Sequence, residues 1–160
     1  LKMRTIEKTI YQFDELNEDA KERARNWYRN GQEWNWCEES EGSILAFCEH
    51  FGVTLKYSGI SPYYPIDYST DATNANFRGL KLKDIDRDAM PTGYCLDCTL
   101  WNTFHDEFRR TGDALASFDA AVYAGLKDWQ ADLENQTTDE YIDDAITSNE
   151  YEFNEDGSRS

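Results

Sequence analysis

Apolar residues return along this chain with two periods, near two residues in some stretches and between three and four in others. The switches between them divide it into elements. From Thr5 to Phe13 the side chains alternate, with Ile6, Lys8, Ile10 and Gln12 on one side and Glu7, Thr9, Tyr11 and Phe13 on the other. That pattern, rich in β-branched and aromatic residues, predicts a strand. Asn17 then stands at a helix N-cap position, with Glu18 and Asp19 in the first turn and Lys21, Arg23, Arg25 and Arg29 further on. The order complements a helix dipole, and Ala20, Ala24, Trp27 and Tyr28 form the apolar stripe of a first helix that Gly31 ends. A second helix is expected from about Glu33 to Phe51, with Trp36, Ile44, Phe47, Cys48 and Phe51 inward, Gly42 as a weak point and Gly52 as the stop.

Val53 to Tyr57 alternates as a strand, and Ser58 to Thr73, punctuated by Gly59, Pro62 and Pro65, is a loop. A further strand is expected from Asn76 to Leu82, followed by a connector from Lys83 to Gly93. Leu100, Phe104 and Phe108 recur at four-residue steps in a third helix that starts near Leu96 and stops near Gly112. The fourth helix, Ala114 to Leu133, is the clearest, with Leu115, Phe118, Val122, Leu126, Trp129 and Leu133 at helical spacing. A fifth starts from a Thr138 cap with Tyr141, Ile142, Ala145 and Ile146 inward, and Tyr151 and Phe153 mark a closing strand. No repeat or dividing linker interrupts the pattern. The expectation is a single α+β domain over residues 1–160, about five helices packed with a small, mostly antiparallel sheet. Trp27, Phe47, Phe104, Phe118, Val122 and Trp129 should join in its core, and the strands at the two ends should share a sheet.

Charge changes the picture more than composition does. The chain has 32 acidic and 16 basic residues, a formal net charge of −16. Residues 1–30 hold seven bases against six acids, whereas residues 94–160 hold four bases against sixteen acids, a net of −12. That half is a poor ligand for nucleic acid or an anionic membrane and a good one for a basic partner. No apolar run approaches the length of a membrane span, and no apolar leader precedes the first strand. The four cysteines are too scattered for a disulfide framework. Cys95 and Cys98 have the spacing of half a zinc site, but no second Cys or His pair completes it, and Cys37, Cys48, His50 and His105 fit no common ligand spacing. No metal and no cofactor is expected.

Tyr11–Leu16 (YQFDEL), running into Asn17–Arg29 (NEDAKERARNWYR), resembles the opening of a widespread set of uncharacterised phage and prophage proteins. Asn149–Arg159 (NEYEFNEDGSR) resembles their end. Such proteins often carry an aromatic-Ser-Gly step and, after it, a Gln-Gly-Asp-Gly type stretch. Here Tyr57-Ser58-Gly59 keeps the step, but Pro62, Tyr63, Tyr64 and Pro65 stand in place of the glycine-rich stretch, so the central loop has diverged. The resemblance implies a phage origin and names no activity; with no apolar span or leader the chain is read as cytosolic, so action in the host cytoplasm is expected.

Chemistry is hard to find. Neither histidine stands in a nucleophile motif, and no phosphate-binding glycine loop is present. The chain therefore reads as a binding protein rather than an enzyme; a housekeeping phage enzyme with an unrecognised site ranks last. Asp128 and Asp132, Asp139 and Asp143, and Glu140 and Asp144 stand one helical turn apart. The array is either a solvated face or a surface for a basic protein or nucleoprotein complex. Two functional readings are open. In one, these six carboxylates imitate nucleic acid and block a host defence protein, as an anti-CRISPR or anti-restriction inhibitor would. In the other, an antitoxin-like or adaptor protein binds one basic protein through a shaped surface anchored by Tyr63, Tyr64 and Tyr68.

Overall fold

The protein is described by a computed structural model covering residues 2–160. It is an α+β fold of five α-helices and two small antiparallel sheets of two strands each. Its residues gather into two compact units. One joins the described residues up to Glu33 with Asn135–Ser160; the other is the continuous stretch Trp34–Glu134.

The terminal unit is built on β1 (Tyr11–Gln12), α1 (Glu18–Asn30), α5 (Asp139–Ser148) and β4 (Glu152–Phe153). The strand expected over Thr5–Phe13 contracts to β1, because the strand facing it is only two residues long; residues 2–10 are exposed, and Phe13 instead opens a 3-10 turn, Phe13–Glu15. The expected joining of the ends holds, with Tyr11 opposite Phe153 and Gln12 opposite Glu152. Asn17 caps α1 by accepting from the Ala20 N–H at 2.9 Å, and Thr138 caps α5 through the Tyr141 N–H at 3.2 Å. Phe13, Leu16, Ala20, Ala24, Ile142, Ile146 and Phe153 make the core of this unit. Trp27 packs here, half-buried, with its ring edge-on to Tyr151 at 5.1 Å; it does not share the core of the other five residues expected with it. After β4 the chain turns at Gly157, whose φ of +87° is left-handed and whose ideal Cβ would fall 2.0 Å from the Ala20 carbonyl oxygen. Only a residue without a side chain lets the tail lie on α1 there.

The central unit holds α2 (Cys37–His50), the hairpin of β2 (Leu55–Tyr57) and β3 (Tyr68–Thr70), α3 (Leu96–Thr111) and nearly all of α4 (Ala114–Gln136). Helix α2 starts later than expected, at Cys37, and runs through Gly42 without a break. Trp36, expected on its inward face, is instead 57% exposed with a left-handed backbone (φ 67°), a conformation that costs a non-glycine residue roughly 1–2 kcal/mol. Its ring stacks on Tyr94 at 6.1 Å with the planes 17° apart. The strand expected over Asn76–Leu82 is also absent, replaced by 3-10 turns at Asn74–Phe77 and Leu82–Asp84. The Asn76 side chain accepts from the Thr73 N–H at 2.7 Å and donates to the Phe51 carbonyl at 3.0 Å, and Phe77 is buried. The bond to Thr73 turns the chain locally and the bond to Phe51 ties it to the end of α2, in a segment that has no neighbouring strand to pair with. Part of the expected loop, conversely, is β3.

Ile44, Phe47, Leu100, Phe104, Phe118 and Leu126 lie at the centre of the central core, together with Val122 and Trp129. Phe47 and Phe118 stack at 5.3 Å, and buried Gly125 lets Leu100 and Ile44 close onto α4, where an added Cβ would meet Leu100 Cδ2 at 2.6 Å. The sequence-level charge asymmetry does not survive folding into units. The terminal unit has eight bases against fifteen acids, net −7, and the central unit eight against seventeen, net −9. The basic α1 and the acidic α5 fall in the same unit.

Candidate functional site

Residues between β2 and β3 form the tip of the hairpin, closed at its base by the Ser58 N–H donating to the Asp67 carbonyl at 2.9 Å. Gln130, buried on α4, holds the tip: its Nε2 donates to the Ser61 carbonyl at 2.9 Å and to the Tyr64 carbonyl at 2.7 Å. The Tyr63 N–H donates to Ser61 Oγ at 3.1 Å. The loop is therefore fixed from below while Tyr63 and Tyr64 stand 66% and 70% exposed. Two aromatic side chains held out on a braced backbone lose little freedom on binding, which suits them as contact anchors. Tyr68 differs. It lies in β3, half-buried against the central core, and burial together with Asp119 pushes its hydroxyl above the usual range.

The six helical carboxylates divide between the units. In the terminal unit, Arg25 grips Asp143 in a two-pronged ion pair at 2.7 and 2.9 Å, and Arg29 pairs with Asp139. Asp143 raises the Arg25 guanidinium above its ordinary range. These two acids thus carry internal bonds that join α5 to α1, while Glu140 and Asp144 face solvent. In the central unit, Thr99 Oγ1 donates to Asp128, and Asp128 and Asp132 line a cleft of about 220 Å³ with Ser40, Tyr94, Cys95, Leu96 and Trp129.

Sequence reasoning missed Trp36, Tyr94 and Gln130. A signal for Gln130 existed, since it is the one polar residue between Trp129 and Leu133 on the apolar side of α4. Trp36 hid behind its own hydrophobicity.

Some ionisable groups elsewhere form structural pairs. His105 Nδ1 lies 2.9 Å from Asp106, which also receives a two-pronged bond from Arg87 at 2.9 and 3.0 Å; the guanidinium holds that carboxyl well below the usual range. Buried Asp97 accepts from the Thr92 N–H at 3.0 Å, the Thr92 hydroxyl at 2.8 Å and the Gly93 N–H at 3.1 Å, tying the connector to the start of α3. All four cysteines are free, and Cys98 Sγ meets Met90 Sδ at 3.3 Å. Among the described residues, no three His, Cys, Asp or Glu side chains are grouped as metal ligands, and no helix is long and apolar enough to cross a membrane.

No protein-family model, curated protein or solved structure matches this chain.

Proposed function

We propose that this chain is a phage-encoded acidic binding protein that blocks a basic, nucleic-acid-handling host protein, with the Tyr63–Tyr64 loop as its anchor. The observation that carries the reading is the Gln130 brace: a buried glutamine uses both of its N–H donors on a loop whose only exposed large side chains are two adjacent tyrosines. Aromatic residues in fixed poses are typical energetic centres of protein interfaces. The net charge of −9 on the same unit selects a basic partner and speeds encounter with it. In a phage setting that partner is a host defence protein or nucleoprotein complex, and the role is that of an anti-CRISPR or anti-restriction inhibitor acting in the host cytoplasm.

Recognition through a shaped surface has more support than nucleic-acid mimicry by the six-carboxylate array. Asp139 and Asp143 are bonded to Arg29 and Arg25, and an acid so paired has less charge to offer a partner. An antitoxin-like or adaptor role on one basic protein uses the same anchor, and the pinned loop favours it equally.

The test is capture of host proteins on the immobilised chain, with affinity then measured between the identified partner and Y63A/Y64A. Loss of binding by about tenfold or more, with unchanged circular dichroism, is expected for two interface anchors. Competition by nucleic acid then distinguishes the inhibitor from the adaptor. A partner bound equally by the parent and the double variant refutes the anchor.

A further inference from the structure

We infer that the cleft lined by Tyr94, Asp128 and Asp132 is a pocket for a single arginine side chain of a basic protein. This inference rests on the reading of the chain as a binder of basic partners, and adds a second contact with its own chemistry.

Four observations converge on it. The cleft, about 220 Å³, has room for about seven water molecules at roughly 30 Å³ each, enough for the head of one long side chain and too small for a folded segment. Its wall is aromatic: Tyr94 lines it and carries the exposed ring of Trp36, nearly parallel, on its face. Asp128 and Asp132 stand on α4 one turn apart on the same cleft, and the Asp132 charge is close enough to raise both the Tyr94 hydroxyl and the Cys37 thiol, although burial is the larger cause for each. Leu96 and Trp129, both buried, complete the lining. The site thus combines aromatic lining from Tyr94 and Trp129, two carboxylates one turn apart and an apolar base.

Arginine matches that combination better than any other biological cation. Its guanidinium is planar, stacks on aromatic faces and directs N–H groups sideways to carboxylates in a fork. Lysine is a compact, strongly hydrated point charge that gains less from a flat ring. Phosphates are repelled by the same two acids.

Titration of the intact ¹⁵N-labelled protein with acetyl-Gly-Arg-Gly-amide tests the assignment without a natural partner. The Trp36 indole N–H signal should shift saturably, the citrulline peptide of equal shape should leave it in place, and the lysine peptide should bind several-fold more weakly. D128N/D132N should reduce arginine-peptide affinity by about tenfold or more, the loss expected of charge-assisted bonds. An unmoved Trp36 signal, or equal responses to the arginine and citrulline peptides, overturns the proposal on the unmodified protein, whatever the variants do. A lysine peptide that binds as tightly as arginine overturns the arginine assignment. Because Tyr63 and Tyr64 take no part in the titration, its failure leaves the anchor reading standing, and a silent Y63A/Y64A leaves the pocket standing.

Discussion

Replacing Gly157 by alanine should be the most damaging single-methyl change in the terminal unit. The added Cβ would sit 2.0 Å from the Ala20 carbonyl oxygen and 2.7 Å from its carbon, where real Cβ atoms essentially never approach within 3.0 Å. The obstacle is helix backbone, so no side-chain rotation relieves it; either α1 or the tail must move by about an ångström. Overpacking of this kind costs about 1–3 kcal/mol. The left-handed φ of +87° adds roughly 1–2 kcal/mol for any residue with a Cβ. The sum, about 2–5 kcal/mol, is a large share of a typical stability of roughly 5–15 kcal/mol. Gly79 provides the control, since its φ of +77° carries the backbone cost while nothing lies within 4 Å of an added Cβ. Urea unfolding monitored by circular dichroism gives the total effect, and hydrogen exchange over α1 and α5 reports where protection is lost. If G157A is no more destabilising than G79A, the tail does not lie on Ala20 as described.

Four further outcomes are expected. D143N removes one arm of the Arg25 grip and should cost about 1–3 kcal/mol, the range for charged hydrogen bonds, measured by urea unfolding, whereas E140Q and D144N on the exposed side of α5 should change stability by less than about 0.5 kcal/mol. T138A should lower stability by about 1 kcal/mol through loss of the α5 cap. Q130L should leave the helices intact but accelerate amide exchange across residues 61–65, because two loop carbonyls lose their donor. Burial pushes the Cys48 thiol up to about 12 from 9.0, and burial with Glu41 pushes the Tyr57 hydroxyl up to about 12 from 10.0. Both groups fold protonated, so their contribution is complete below pH 9 and is lost as pH rises through the interval to about 12; a C48A variant should show a shallower alkaline decline.

Local signals with one dominant cause were legible in the sequence. Asn17 and Thr138 cap helices because their side chains reach the backbone N–H three residues on, and Gly31 and Gly112 come directly after the last turns of α1 and α3. The period of Phe118, Val122, Leu126 and Leu133 needed one face buried, and all four are. The failures share a different cause: each depended on a partner far away in the chain. A strand over Thr5–Phe13 needs a neighbour of equal length, and β4 offers two residues. Asn76–Leu82 alternates like a strand but has no strand beside it, and Asn76 instead reaches the Phe51 carbonyl 25 positions earlier. Asp139 and Asp143 looked like surface charge because Arg29 and Arg25 lie more than a hundred positions earlier. For the candidate site, Tyr63 and Tyr64 could be singled out from the sequence, but their brace by Gln130 spans 66 positions and could not.

The pairing of β1 with β4 also dictates an order of assembly during synthesis. Everything the central unit requires, residues 34–134, emerges from the ribosome ahead of α5 and β4. That stretch holds its own core and does not need α5 or β4 to bury it. The segment before the central unit has to wait with Ala20, Ala24 and Phe13 uncovered until Ile142, Ile146 and Phe153 emerge. The β1–β4 contacts span up to 142 positions, from Tyr11 to Phe153, and pairing at such long range is slow to form. A nascent chain arrested before α5 would present a bare amphipathic α1, the state in which this protein is most exposed to chaperones and proteases.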